Sequence, residues 1–272
     1  MSYTLTQEKI LEIKNVSLSF GSKLVLNDIN VEIFNAIREG TTTGQVIGFL
    51  GPSGRGKTQL FKIIAGLNKP TSGEVLLHGA PVKRGEVGVV GQSYPLFRNK
   101  TVIQNLRSVP HGNNKKDLED KISFYLDRLR IADLKNSFPI NLSGGQRQRV
   151  AIVQQMLCSE HFLLLDEPFA SLDPLMTQEV CRLIDDIANA SDLHTVIVVS
   201  HDITSTVAIS TELWLLGYDH DEAGNPIPEN GARIKYKEDL MKMGLAWEFP
   251  GIYENPKFLE FVKDIRMTFR KL

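Results

Sequence analysis

Nowhere does this 272-residue chain hold an apolar run near the roughly 18 residues that cross a bilayer, and its start, MSYTLTQEKI, has neither a basic segment nor an apolar one. The expectation is a soluble, cytoplasmic protein that acts, at most, against a membrane protein. It also lacks charge of one sign: 31 Lys and Arg against 32 Asp and Glu leave a formal charge of -1, which argues against a general nucleic-acid binder. Cysteine is scarce. Cys158 and Cys181 lie in helical contexts without metal or redox spacing, which fits a reducing compartment and packing roles. Internal repeats and low-complexity tracts are missing too. What is present is a 42% hydrophobic composition, enough for one large core or for a main domain with a smaller appendage.

The most specific stretch is GPSGRGKT, Gly51 to Thr58, lying between the apolar segment Val46 to Leu50 and a helical pattern. Gly51, Gly54 and Gly56 allow tight turns that bring backbone N–H groups onto phosphate oxygens at a helix N-terminus. Pro52, Ser53 and Arg55 fill the loop between them, and Gln59 follows it. Lys57 adds a point charge for the β and γ phosphates, and Thr58 offers a hydroxyl to a phosphate-bound Mg²⁺. ATP or GTP is the expected ligand.

Val16, Leu18 and Phe20, then Ile29, Val31 and Ile33, alternate with polar residues and read as half-buried antiparallel strands. Gln59 to Leu67 reads as a helix with one buried face. Short strands follow at Glu74 to Leu77 and Val87 to Val90. From about Ser93 to Cys158 the pattern turns helical and more polar, as an inserted subdomain would. Phe162 to Leu165 and Thr195 to Val199 read as buried strands separated by a helix from Gln178 to Asn189, which implies a parallel sheet with ligand groups at its carboxyl ends.

Those ends carry chemistry. Asp166 and Glu167 leave the first strand on opposite sides; Asp166 is placed to hold Mg²⁺ through its water shell and Glu167 to orient the attacking water, as phosphoryl transfer by positioning and electrostatics requires. The second strand ends in Ser200, His201 and Asp202, and His201 is assigned to the γ-phosphate. His78, His111, His161, His194 and His220 are read as structural or surface residues. A second helix N-terminus, Leu142-Ser143-Gly144-Gly145-Gln146, has Ser143 as N-cap. Either there are two ligands or this second cradle serves a neighbouring molecule's nucleotide.

With LSGGQRQRVAI at 142 to 152, GPSGRGKT, FLLLDEP and the later Ser-His-Asp in order, the chain resembles the ATP-binding cassette (ABC) ATPases from about residue 11 to 217. The resemblance implies an α/β fold, a P-loop NTPase of ABC type: a mixed sheet core, an antiparallel N-terminal β subdomain and an α-helical subdomain inserted at about 93–158. Residues 1–217 would form the ATPase domain and 218–272 a C-terminal extension.

It further implies Mg²⁺-dependent ATP hydrolysis, with Gln92 contacting metal and water. Ser143 and Gly145 would contact the γ-phosphate held by a second copy or a homologous ATPase subunit, with Gly144 and Gln146 in the same nucleotide-binding loop, in a head-to-tail sandwich of two ATP molecules. Ser171, Leu172 and Asp173 resemble the loop that crosses between the two monomers. Phe20 matches the aromatic that stacks on adenine, yet it also continues a buried alternation.

Transmembrane permease subunits would dock near Ser93 to Thr101, with Tyr94, Pro95, Leu96 and Phe97 as contacts or, for Leu96, core. A substrate-binding protein and no nucleic acid would complete the partners, at the inner face of the membrane. DEPFASLDP looks similar to importers of nitrate, sulfonate and taurine. Lipid-trafficking or export ATPases are an alternative. So are nucleotide-switched proteins of repair or translation, which carry two cassettes or a long inserted arm.

Three stretches depart from the pattern. Phe34 to Gln45 is long and polar and reads as a surface loop; Val153-Gln154-Gln155 replaces Ala-Arg-Ala and leaves room for partner contacts. The tail ends in an amphipathic helix from about Asn255, with Phe258, Leu259, Phe261, Val262 and Ile265 on its apolar face, expected to pack on its own domain rather than on a membrane.

Overall fold

The structure, a computed structural model, describes residues 3–91, 95–110, 115–159, 161–170 and 172–272. Two long strands, β1 (Tyr3–Phe20) and β2 (Lys23–Arg38), form an antiparallel ribbon that continues into β4 (Ser72–Leu77) and β5 (Ala80–Pro81) in the order β2-β1-β4-β5. Between β2 and β4 the chain lays down β3 (Gln45–Leu50), buried along its whole length, and α1 (Lys57–Ile64). A second sheet is built around β3. It adds β6 (Gly88–Val90), β7 (Phe162–Asp166), β8 (Thr195–Ser200), β9 (Glu212–Gly217) and β12 (Arg233–Asp239) in the order β12-β9-β3-β8-β7-β6. All its pairings are parallel except β12 with β9.

Helices α2 (Val102–Leu106), α3 (Lys115–Arg128) and α4 (Gly144–Cys158) come between β6 and β7, and α5 (Pro174–Ala188) and α6 (Ile203–Ile209) flank β8 in sequence. The parallel strands are apolar on both faces because both faces are covered. Ile47, Phe49, Leu164, Ile197 and Val199 pack on one side with the ribbon and α1, and Val46, Leu163, Leu165, Val196 and Val198 on the other with α3, α4 and α5.

After a small hairpin, β10 (Asp219–His220) with β11 (Pro226–Ile227), the chain returns to the sheet as β12 and ends in α7 (Leu240–Met243) and α8 (Pro256–Phe269). Phe258, Val262 and Ile265 of α8 pack with Leu50, Val207, Leu213 and Leu215, so the last helix covers its own sheet. The final residue, Leu272, lies over Gly217, and its carbonyl accepts from Tyr218 N at 3.1 Å. No helix among the described residues is long and apolar enough to cross a membrane.

Several expectations need correction. Phe34 to Arg38 is strand, not loop: Tyr3, Thr4 and Leu5 pair with Arg38, Ile37 and Ala36, and Arg38 stacks over Trp247 at 5.1 Å. Only residues 39–44 connect β2 to β3. The first helix stops at Ile64, which leaves Leu67 exposed, and Leu259 of α8 is exposed as well. Phe20 ends β1 at 55% exposure and takes no part in the core.

Cys158 is also exposed, whereas Cys181 is buried. Val153 is fully buried, and the Gln155 side chain accepts from Val89 N at 3.1 Å, so this departure turns inward and covers the edge strand β6. His161 and His194 stack at 5.5 Å and His194 is buried, consistent with structural roles; His111 lies outside the described residues.

Candidate functional site

Three neighbouring strands, β3, β8 and β7, end side by side, and their carboxyl ends bring the first group of residues together. After Leu50 the loop turns through Gly54 at φ +81° and Gly56 at φ +94°, left-handed conformations that favour glycine. Gly51 is required for a different reason: a Cβ there would lie 2.8 Å from the carbonyl oxygen of Leu216 on β9. Gly56 caps α1 with its backbone alone, leaving the first helical N–H groups to a ligand. Ser53 and Thr58 are exposed, Pro52 and Gln59 half-buried.

The Lys57 ammonium is buried inside this loop and donates to Gly51 O at 2.6 Å and Pro52 O at 3.2 Å. Desolvation pulls its pKa below the usual lysine value, while the carboxylates of Glu167 and Asp166 oppose that shift. Asp166 answers in kind. Burial raises its pKa, the neighbouring Glu167 adds to the rise, and Lys57 counteracts it. Lysine and carboxylates therefore feel one another across the strand ends.

Glu167 adopts φ +50°, an uncommon left-handed backbone for this residue, with its N–H donating to Val199 O at 2.8 Å. Its Oε2 meets His201 Nδ1 at 2.8 Å and accepts from Ser200 Oγ at 3.2 Å and His201 N at 3.3 Å. The imidazole is exposed. The carboxylate predicted on one strand and the histidine predicted on the next are thus a contacting pair.

Sequence reading missed Tyr218. The register Leu50↔Leu215 carries β9 alongside the phosphate loop, and the Arg55 guanidinium lies 4.1 Å from the centroid of the buried Tyr218 ring. Such a cation–π contact is worth about 0.5–2 kcal/mol. The signal was an aromatic directly after an apolar strand, but only the register shows which loop it faces.

The second helix N-terminus behaves differently. Ser143 Oγ accepts from Gln146 N at 3.2 Å and the Gln146 side chain accepts from Ser143 N at 2.9 Å, a complete capping box on α4. Ser143 and Gly144 are exposed, Gly145 and Gln146 half-buried. A Cβ on Gly145 would stand 3.2 Å from the Met176 methyl of α5. Asp173 caps α5 through Leu175 N and Met176 N. Gln92, Ser93, Tyr94 and Ser171 lie outside the described residues. Leu96 packs against the helical core and Phe97 is exposed.

Thr58 and Asp166 offer Mg²⁺ two hard oxygens, and the desolvated Asp166 carboxylate, with Glu167 beside it, carries negative charge that a divalent cation offsets, so these residues fit that metal. Among the described residues no cluster of three or more His, Cys, Asp or Glu could hold a metal on its own. Two protein oxygens suffice where the nucleotide's phosphates and water supply the rest.

A phosphate-cradling loop, a paired acid and histidine and an exposed serine-capped helix on one mixed sheet define a nucleotide-binding cassette. Residues 34–170 match the family model described as ABC transporter, and the chain belongs to that family.

It is 36% identical over 217 residues to the sulfate/thiosulfate import ATP-binding protein CysA of Pectobacterium atrosepticum, covering 76% of this chain and 63% of the relative. The CysA of Escherichia coli is 38% identical over 203 residues, 71% of this chain and 53% of that protein. The chain thus spans between about half and two thirds of the length of these relatives. In fold it is similar to cbiO1 from Clostridium perfringens, part of the ABC transporter complex cbiONQ, with a TM-score of 0.71 at 24% identity over 88% of this chain and 91% of that one.

Proposed function

We propose that this chain binds and hydrolyses ATP as the motor subunit of an ABC transporter, an importer of a small oxyanion. The observation that carries the reading is the convergence of Lys57, Asp166, Glu167 and His201 at the ends of three adjacent strands, with both carboxylates opposing the fall in the Lys57 pKa and Glu167 in contact with His201. Backbone N–H groups of Gly54 to Thr58 and the Lys57 ammonium bind the phosphates. Phe20, exposed at the tip of the ribbon, stacks on the adenine. Thr58, Asp166 and Gln92 would hold Mg²⁺, and the metal would supply charge neutralisation at the phosphates.

Glu167 Oε2 is taken by Ser200 and His201, so its other oxygen orients the attacking water. His201 holds the carboxylate in place and reaches the γ-phosphate from its exposed side. Since these groups act by position and charge, little reorganisation is needed at the moment of transfer.

The Ser143 to Gln146 element, exposed at Ser143 and Gly144, finds its ligand on another chain. Two copies, or this chain and a homologous ATPase subunit, pair head to tail with two ATP molecules between them. Permease subunits, with a substrate-binding protein outside, supply the path through the membrane. They also choose the cargo; the CysA proteins are named for sulfate and thiosulfate, and nitrate, sulfonates and taurine share that oxyanion chemistry. Glu167→Gln tests the chemistry: hydrolysis should fall by about 10²- to 10⁴-fold with ATP binding retained. Equal rates for the two proteins would refute the assignment.

A further inference from the structure

Away from the nucleotide loop, the end of α3, the first half of α4 and the middle of α5 enclose a cleft of about 150 Å³ lined by Arg128, Arg130, Arg149, Arg182, Glu179 and Asp186. That is far more room than the roughly 10–15 Å³ a single water needs. Four guanidiniums face two carboxylates, a local surplus of two positive charges in a chain whose net charge is -1.

Arg149 is committed to the fold: it bonds Glu179 at 3.0 Å and Leu129 O at 3.4 Å. Arg128 donates to Asp186 O at 3.3 Å. Arg130 and Arg182 are exposed and have no ion-pair partner among the described residues.

The backbone adds a second, independent observation. Arg130 sits at φ +55° just past the end of α3, with its N–H donating to Asp127 O and Ile131 N to Leu126 O. This is the helix-ending position that glycine fills at least cost. An arginine there is strained, and the strain places one more guanidinium at the mouth of an already basic cleft.

We propose that this cleft binds a small tetrahedral dianion, of sulfate or phosphate chemistry, between the forks of Arg130 and Arg182, with Arg128 and Arg149 forming the wall behind. Two planar forks match the paired oxygens of such an anion, and a dianion cancels the surplus charge. The ligand ties α3, α4 and α5 together at one point. Because Arg149 lies on the helix that Ser143 caps, occupancy steadies that helix from its flank.

The test uses the full chain in a Lys57→Ala background, which weakens anion binding in the nucleotide loop, and the arginine variants below separate what remains there from the cleft. Thermal unfolding is followed while sodium sulfate replaces sodium chloride at constant ionic strength. A saturable rise is expected, about 3–6 °C at a tenfold excess over Kd, as opposed to the linear rise of a general salt effect.

Arg182→Ala should abolish the saturable component. Arg130→Gly should abolish it too while leaving the sulfate-free Tm unchanged or higher, since glycine relieves the φ +55° strain; a purely structural arginine would lower it. A linear rise alone, or an equal saturable rise in both variants, would overturn the proposal. So would arginine-dependent co-sedimentation with phosphatidic acid vesicles in the absence of any response to sulfate, because the site would then serve a lipid.

Discussion

At the start of α1, Lys57 is buried and bonded to the carbonyls of its own loop, Arg55 is held from behind by Tyr218, and the carboxylates that act on Lys57 stand at the end of β7, beyond β8. At the start of α4, Ser143 and Gly144 are exposed, and the tip is held by local bonds, the reciprocal pair between Ser143 and Gln146 and the Arg147 donation to Leu142 O at 2.6 Å. Both are helix N-termini suited to an anion. The first is preorganised by long-range packing inside one chain, and the second is preorganised by its own capping box and faces outward. A preformed but exposed anion cradle suits a ligand delivered by another molecule. The difference between these two ends is therefore the physical basis for expecting a two-chain site.

The comparison breaks most visibly at Lys57. Replacing it by alanine should weaken ATP binding by a single chain about 10- to 100-fold, as loss of charge-assisted hydrogen bonds to phosphate demands, while Ser143→Asp leaves that affinity unchanged. Titration of a fluorescent ATP analogue at a dilution where chains stay apart distinguishes the two.

A smaller effect concerns α5, on which the exposed element leans. Burial pushes the Asp185 carboxyl up to about 6, from 3.8. The folded chain holds that proton more tightly, so stability falls as pH climbs from 3.8 to about 6, and the full cost is present above that. Asp185→Asn should gain about 1–3 kcal/mol at pH 7 and nothing below pH 3.8, read from denaturant unfolding at the two values.

The smallest effect is at the cap itself. Ser143→Ala should cost about 1 kcal/mol of stability, and Ser143→Asp should keep the cap while repelling phosphate. If Asp restores stability but not the activity lost in Ala, the serine has a ligand besides its own helix.

What the sequence reveals of the site depends on the range of the interactions that build it. Gly51 to Thr58 and Ser143 to Gln146 are local patterns whose residue types and spacing are contained within eight and four residues, so both are readable. The ends of β7 and β8 were readable because an apolar run meets abrupt polarity at Asp166 and Ser200. The Glu167–His201 contact needed the β7–β8 pairing to become a distance.

Phe34 to Arg38 looked like loop because its strand character comes from pairing with Tyr3 to Leu5, some thirty residues away. Arg233 to Asp239 was hidden in the same way: a charged edge strand carries no apolar signature, and charge at an edge opposes further pairing. Gln155 and Tyr218 are single residues whose partners lie on other elements, and nothing in the adjacent sequence names Val89 or Arg55.

If one chain supplies half of each working nucleotide pocket, the rate of ATP hydrolysis per chain, measured at saturating ATP and Mg²⁺, depends on chain concentration. The rate per chain should climb with concentration as chains pair, and Ser143→Asp should remove the climb. A rate per chain that is independent of concentration and unchanged by Ser143→Asp, in a protein whose measured mass stays that of one chain, would contradict that division of the pocket.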